Sequence, residues 1–135
     1  NGPGYPNLCG ETVKHVQEFM KTGKPIYGIC MGNQILSLAA GAKVSKLKYG
    51  HRSHNQPVRM VGEPKCYITT QNHGYAVNAK TLGPNWKELF VNMNDGSHEG
   101  IKHVKYPWFS VQFHPEACAG PLDTEFLFDE FVKTL

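Results

Sequence analysis

Little in this sequence points to a membrane, a secretory signal or a disulfide framework. No run approaches the roughly 18 consecutive apolar residues of a membrane span, and no signal-peptide pattern opens the chain. Cysteine is sparse, with four residues at positions 9, 30, 66 and 118 and no C-x-x-C pair. Four thiols could in principle make two disulfides, but a reactive thiol in a reducing compartment fits this spacing better. Charge of one sign is also lacking: 14 basic against 11 acidic side chains leave a net +3. That excess is too mild to argue for a nucleic-acid partner. The seven histidines are scattered along the chain, so no metal site is expected. No G-x-x-x-x-G-K-[ST] phosphate loop, internal repeat or low-complexity linker occurs. With 40% hydrophobic and 19% charged residues over 135 positions, the chain is one globular domain or part of one.

What is present centres on a single cysteine. Cys30 lies in Tyr27-Gly28-Ile29-Cys30-Met31-Gly32-Asn33-Gln34. Apolar Ile26, Tyr27 and Ile29 predict the end of a short buried strand. Residues 31–40 predict a helix, with Ile35, Leu38 and Ala39 on one face. Cys30 therefore falls at a strand-to-helix turn, where Gly28 and Gly32 allow close packing. A nucleophile elbow has this form, here with a thiol in place of a hydroxyl. The helix N-terminus favours negative charge and leaves free backbone N–H groups beside the sulfur.

A base is supplied far downstream, in Phe109-Ser110-Val111-Gln112-Phe113-His114-Pro115-Glu116. Pro115 biases His114 toward an extended backbone, and residues i and i+2 of an extended segment share a face. His114 and Glu116 then point the same way. A carboxylate beside an imidazole fixes its tautomer and stabilises the imidazolium. Cys30, His114 and Glu116 together suggest acyl transfer through a thioester.

The remaining pattern predicts an α/β layered domain with a mixed sheet. Helices are expected over 11–22, with Val13, Val16 and Phe19 inward, and over 123–135, with Phe126, Leu127 and Phe131 buried. Strands are expected at 42–47, 56–61, 65–70, 89–92, 99–103 and 108–113, and a turn at Asn94-Asp95-Gly96. Cys9, Cys66 and Cys118 read as small buried hydrophobes, and Asn72 and His73 as turn residues before Gly74. Lys43, Lys46, Lys48 and Arg52 read as a solvated edge, and Trp86 and Trp108 as packing residues. The opening Asn1-Gly2-Pro3-Gly4-Tyr5-Pro6 is a turn with no strand before it, so residues 1–135 are expected to be a domain truncated at its N-terminus.

On these residues the chain resembles the class I (triad-type) glutamine amidotransferases, and among them the glutamine-hydrolysing part of carbamoyl-phosphate synthetase. Gly28 to Gln34 and Phe113 to Glu116 carry the general signatures. His54-Asn55-Gln56-Pro57-Val58, Thr70 to Val77 and Asn94 to Ile101 narrow the resemblance, as do Ala119-Gly120-Pro121 and Phe126 to Asp129. It runs the length of the chain. It implies the family's layered fold, a mixed and mostly parallel sheet flanked by helices, with Cys30 as nucleophile, His114 as acid/base and Glu116 orienting it. Glutamine contacts are implied at Gly2, Gly4, Met31, Gln34, Asn72, Gly74 and Tyr75, with Met31 and the Gly2–Gly4 loop as oxyanion donors.

The implied reaction is hydrolysis of glutamine to glutamate and ammonia. Ammonia would pass to a carbamoyl-phosphate synthetase part, fused or separate, in pyrimidine or arginine/urea biosynthesis. ATP and a divalent metal belong to that part, and no cofactor is expected here. The resemblance implies a cytoplasmic enzyme, or a mitochondrial one if of urea type, with no membrane partner. Two alternatives stand beside it: a non-catalytic interaction domain of an ammonia-dependent synthetase, and an amidotransferase of another pathway such as anthranilate or GMP synthesis. Four positions depart from the family's common residues: Asn33 stands where many relatives carry His, although Asn also occurs there, and three others differ. Tyr5 stands for Asp, His51 for Asn and Ser53 for Gly; a positive φ at the last would have demanded a local backbone change.

Overall fold

In the computed structural model, which describes residues 10–115 and 126–135, the apolar run before Cys30 is a strand and the stretch after it a helix. In chain order the elements are α1 (Gly10–Met20), β1 (Ile26–Ile29), α2 (Met31–Ala39), β2 (Lys43–Met60), β3 (Cys66–Asn78), β4 (Trp86–Asn92), β5 (His98–His103), β6 (Trp108–Val111) and α3 (Phe126–Val132). The strands form one sheet in the order β1-β6-β5-β4-β2-β3. Among the described residues no helix is long and apolar enough to cross a membrane.

The sheet is mixed, as expected, but the parallel majority is not what the described strands form. Only β1 and β6 run parallel; the other four pairings are antiparallel. Connection length is the reason. Residues 61–65, 93–97 and 104–107 are too short to carry a crossover, so they return the chain as hairpins.

Strand extents also differ. The segments expected at 42–47 and 56–61 merge into β2, and the one at 65–70 runs on to Asn78, so Asn72 and His73 lie in a strand rather than a turn. The polar residues between the predicted strands are absorbed by register shifts, between Lys46 and His51 and between Ser53 and Gln56. Gly50 sits in the first of these at φ +73°, and a Cβ there would come within 2.9 Å of His73 O. The bulge sets His51 opposite His73.

Alternation sorts the side chains of β1 and β6 onto two unlike faces. Tyr27, Phe109, Val111 and Phe113 face α3, where Val58, Tyr67, Phe90 and Leu127 complete an apolar core. Tyr27 stacks on Phe109 at 4.5 Å and Phe90 meets Phe113 edge-to-face at 5.1 Å. Each fully buried Phe contributes on the order of 1.5–3 kcal/mol by burial. Gly28 and Ser110, one residue along, face α2. That helix corrects the expected inward face: the buried positions are Asn33, Gln34, Leu36 and Ser37, not Ile35, Leu38 and Ala39. A polar helix stripe meets polar sheet residues, and this seam holds the candidate site.

Smaller expectations divide. Trp86 and Tyr106 stack on Trp108, as packing residues should, and Lys43, Lys46, Lys48 and Arg52 are exposed. In α1, Val13 and Val16 are half-buried but Phe19 is 44% exposed, because α1 lies outermost, its Gln17 Nε2 donating to Ala39 O at the end of α2. Cys66 is exposed rather than buried, its strand position facing outward. Cys9, Cys118, Tyr5 and residues 123–125 lie outside the described residues.

Candidate active site

Cys30 is held in a backbone state that L-residues avoid. Its φ is +55° and its ψ −108°, and among the described residues no other non-glycine has a positive φ. Two sets of hydrogen bonds impose it. The Cys30 N–H donates to Val111 O at 2.9 Å, adding a rung beyond the β1–β6 pairing, while its carbonyl accepts from the Asn33 and Gln34 N–H groups at 3.0 and 3.4 Å. The residue is pinned between the end of a strand and the first turn of a helix. Such strain costs on the order of 1–3 kcal/mol and survives only where the surroundings fix it. Gly28 makes the turn possible: a Cβ there would lie 2.6 Å from Gly32 O, a backbone atom that cannot swing away. Ser53 shows no positive φ, so the backbone change its replacement of glycine could have required does not occur.

A stability comparison follows from this. Cys30→Gly should unfold at higher urea concentration than Cys30→Ala, by about 1 kcal/mol, because both lose the sulfur but only alanine keeps the strained Cβ. Equal midpoints would show that the turn stores no strain.

The Cys30 side chain is buried, the residue being 4% exposed. Its sulfur has as neighbours the Asn72 carbonyl oxygen, 3.9 Å away, and the Gln112 side-chain amide, whose Nε2 donates to it at 3.8 Å. Gln112 is fully buried and organises the seam. Its Oε1 accepts from Asn33 Nδ2 at 3.1 Å and from Gln34 Nε2 at 3.0 Å. Gln34 Nε2 also donates to Tyr75 O at 3.0 Å. Asn33 Oδ1 in turn accepts from Ser110 Oγ at 2.7 Å and from His98 Nε2 at 3.2 Å. Burial pushes His98 down to about 3, so its ring is neutral with the proton on Nε2. Asn33, beside Gln34, thus acts as a buried hub.

His114 follows β6, half-buried, its N–H donating to Thr70 O at 2.9 Å. This bond fastens the His114 backbone to β3 two residues from Asn72. The structure therefore gathers Cys30, Met31 and Gln34 from the head of α2, Asn72, Gly74 and Tyr75 from β3, and His114 from the end of β6 around one sheet end. Gln34 meets Tyr75 and Cys30 meets Asn72 through backbone carbonyls. Three expected site residues, Gly2, Gly4 and Glu116, lie outside the described residues.

Behind Asn72 the inward face of β3 is polar. His73 is flanked by Tyr75 O, 2.9 Å from Nδ1, and Gln71 Oε1, 2.7 Å from Nε2. Burial lowers it to about 4, with the charges of His51, Arg52 and His114 acting the same way. The His51 ring stands edge-on to it at 5.0 Å. His51 Nε2 lies 2.8 Å from Asp95 Oδ2 and Nδ1 lies 3.3 Å from Glu99 Oε1. Glu99 above all, then Asp95, raise His51 to about 9 against the effect of burial. It is an imidazolium between two carboxylates. Burial raises the fully enclosed Glu99, opposed by His51 and Asn92.

Comparison with known proteins identifies the fold and the family. A model of the class-I glutamine amidotransferases matches residues 1–134. The chain belongs to that family. Over its whole length this amidotransferase chain is 57% identical to multifunctional protein pyr-3 of Neurospora crassa, of which it covers 7%. It is 54% identical to the carbamoyl phosphate synthase arginine-specific small chain of Aspergillus fumigatus, of which it covers 30%. The chain thus spans under a third of these relatives' length. Among solved structures, a putative GMP synthase component from Thermoplasma acidophilum superposes with TM-score 0.81 over 96% of this chain and 66% of that one, at 22% identity. A glutamine amidotransferase from Thermotoga maritima gives TM-score 0.74 over 98% and 62%, also at 22% identity. At that identity the likeness shows the fold alone.

Sequence reasoning missed Gln112, Ser110 and His98. Gln112 and Ser110 did carry a signal: each interrupts an otherwise apolar strand, where an uncharged polar residue needs a buried partner.

Proposed function

We propose that this domain hydrolyses glutamine through a Cys30–His114–Glu116 triad and a thioester, and delivers the ammonia to a carbamoyl-phosphate synthetase part. The observation that carries the reading is the strained backbone of Cys30 at the head of α2, its sulfur facing the β3 wall. A nucleophile there can reach a substrate amide laid along Asn72, Gly74 and Tyr75. Cys30 Sγ attacks the side-chain carbonyl carbon, and the oxygen gathers negative charge beside the free N–H groups of the first turn of α2, Met31 among them. His114 takes the thiol proton of Cys30 and gives it to the departing ammonia, then takes one from the water that cleaves the thioester and returns it to the sulfur as glutamate leaves. Glu116 orients the ring in this reading, and Gly2 and Gly4 complete the oxyanion and substrate contacts.

Gln34 has a positioning part, since its amide ties Tyr75 to Gln112. The names of the relatives support carbamoyl phosphate as the product served. Both a small chain and multifunctional proteins are among them, which fits a synthetase either separate or fused. The ATP and divalent-metal chemistry is assigned to that part.

The test is covalent labelling of the intact protein with a glutamine-derived chloroketone, read by peptide mass spectrometry. One label per chain on Cys30, blocked by excess glutamine, is expected. Label spread over Cys9, Cys66 and Cys118 as readily as Cys30 would remove the case for an activated thiol.

A further inference from the structure

Histidines far apart in the sequence meet behind the β3 wall. His51 on β2, His73 on β3 and Glu99 on β5 are all buried, and one ligand atom from each lies within 4.8 Å of the other two. The cluster is not a finished hydrogen-bond network. His51 Nδ1 and Glu99 Oε2 are enclosed without a hydrogen-bond partner, and His51 Nδ1 stands 3.3 Å from Glu99 Oε1 without alignment. Buried orphans of this kind are unfavourable and call for an explanation. Here a ring nitrogen and a carboxylate converge on one place, next to a second imidazole.

The outer atoms of the same residues are already engaged. His51 Nε2–H donates to Asp95 Oδ2 at 2.8 Å, and Asp95 is itself held by the Ser97 N–H and hydroxyl at 2.9 and 2.6 Å. His73 Nδ1–H donates to Tyr75 O at 2.9 Å, which leaves the lone pair on Nε2, facing Gln71 Oε1 at 2.7 Å. Glu99 Oε1 accepts from Asn92 Nδ2 at 3.2 Å. Imidazoles whose far nitrogen is tied to a carboxylate or a backbone carbonyl are the pattern that orients metal ligands.

We propose that His51, His73 and Glu99 form a binding site for one divalent transition-metal cation of the zinc type, enclosed between β2, β3 and β5. Two imidazoles and a carboxylate are a ligand set that suits zinc, with a water in the fourth position. Around a tetrahedral zinc, ligand atoms lie about 3.5 Å apart. The His51–Glu99 pair is near that separation, and His73 must close by roughly 1 Å, exchanging its Gln71 contact for the metal. The cation takes the Nδ1 lone pair of His51, and a proton held on that atom leaves to solvent as the metal binds. The site requires nothing of Cys30 and stands whether or not glutamine is the substrate.

The test uses the intact protein carrying Cys30→Ser, which removes the one buried thiol among the described residues, stripped with a chelator and titrated with Co2+. One equivalent is expected, with the intense visible d–d bands of a low-coordinate nitrogen–oxygen site, no sulfur-to-cobalt charge-transfer band, and displacement by Zn2+. His51→Asn and Glu99→Gln should each weaken binding at least about tenfold. Absence of stoichiometric uptake, or unchanged affinity in both folded variants, overturns the proposal. Circular dichroism verifies folding, and if one variant does not fold, the other together with the stoichiometry of the His51-containing protein decides.

Discussion

Cys30→Ser in the intact protein is expected to lower glutamine-dependent synthesis by about 10^4-fold or more while leaving ammonia-dependent synthesis near its original rate. Loss of a nucleophile in a unit that acts together removes nearly all of the unit's effect. Serine is close to cysteine in size and leaves both backbone restraints of the turn intact, the bond to Val111 O and those to the Cys30 carbonyl. The domain should therefore stay folded. Its hydroxyl is a far weaker nucleophile than cysteine sulfur. Free ammonia bypasses the step that Cys30 performs. Steady-state rates with glutamine and with ammonium salts, measured side by side, give the answer. Equal loss with both would place Cys30 in the structure rather than the chemistry.

Gln112→Leu should be strongly destabilising although it touches no charged group, costing about 3 kcal/mol of stability. Leucine fills similar volume, so cavity formation is minor. What is lost is the acceptor shared by Asn33 and Gln34 at 3.1 and 3.0 Å. Gln34 keeps Tyr75 O, but Asn33 Nδ2 is left in a fully buried site without that acceptor. An orphaned buried donor costs about 1–3 kcal/mol in addition to the bonds removed. Urea unfolding at constant m-value reads the cost. Adding Asn33→Leu should cost less than the sum of the two single changes, because the orphan disappears with its partner. A Gln112→Leu midpoint within about 0.5 kcal/mol of the parent would mean that the seam tolerates apolar packing and that Asn33 finds another partner.

The strand-to-helix turn at Cys30 was the more legible part of this chain. A cysteine between two glycines, after an apolar run and before a helical one, can be read as a strained turn because only close backbone approach demands glycine on both sides. The φ of +55° and the Gly28–Gly32 approach are that turn. Strands beyond the motif were less so. Residues 48–55 and 71–74 are largely polar, and polarity without alternation resembles loop; their pairing comes from each other, through bulges that no local pattern announces.

The sequence by itself determined the local geometry: where a strand gives way to a helix, which cysteine sits at that turn, and which faces of β6 are apolar. These follow from periodicity, from glycine and proline stereochemistry, and from the alternation of side chains along a strand. Only the tertiary structure decided the rest. Asn33, His98, Ser110 and Gln112 form one hydrogen-bonded seam, and His51, His73 and Glu99 one buried cluster, although each set is drawn from elements tens of residues apart. The physical reason is that a buried polar group needs a partner but does not specify which. Strand order and register make that choice, and they are set by the sheet as a whole.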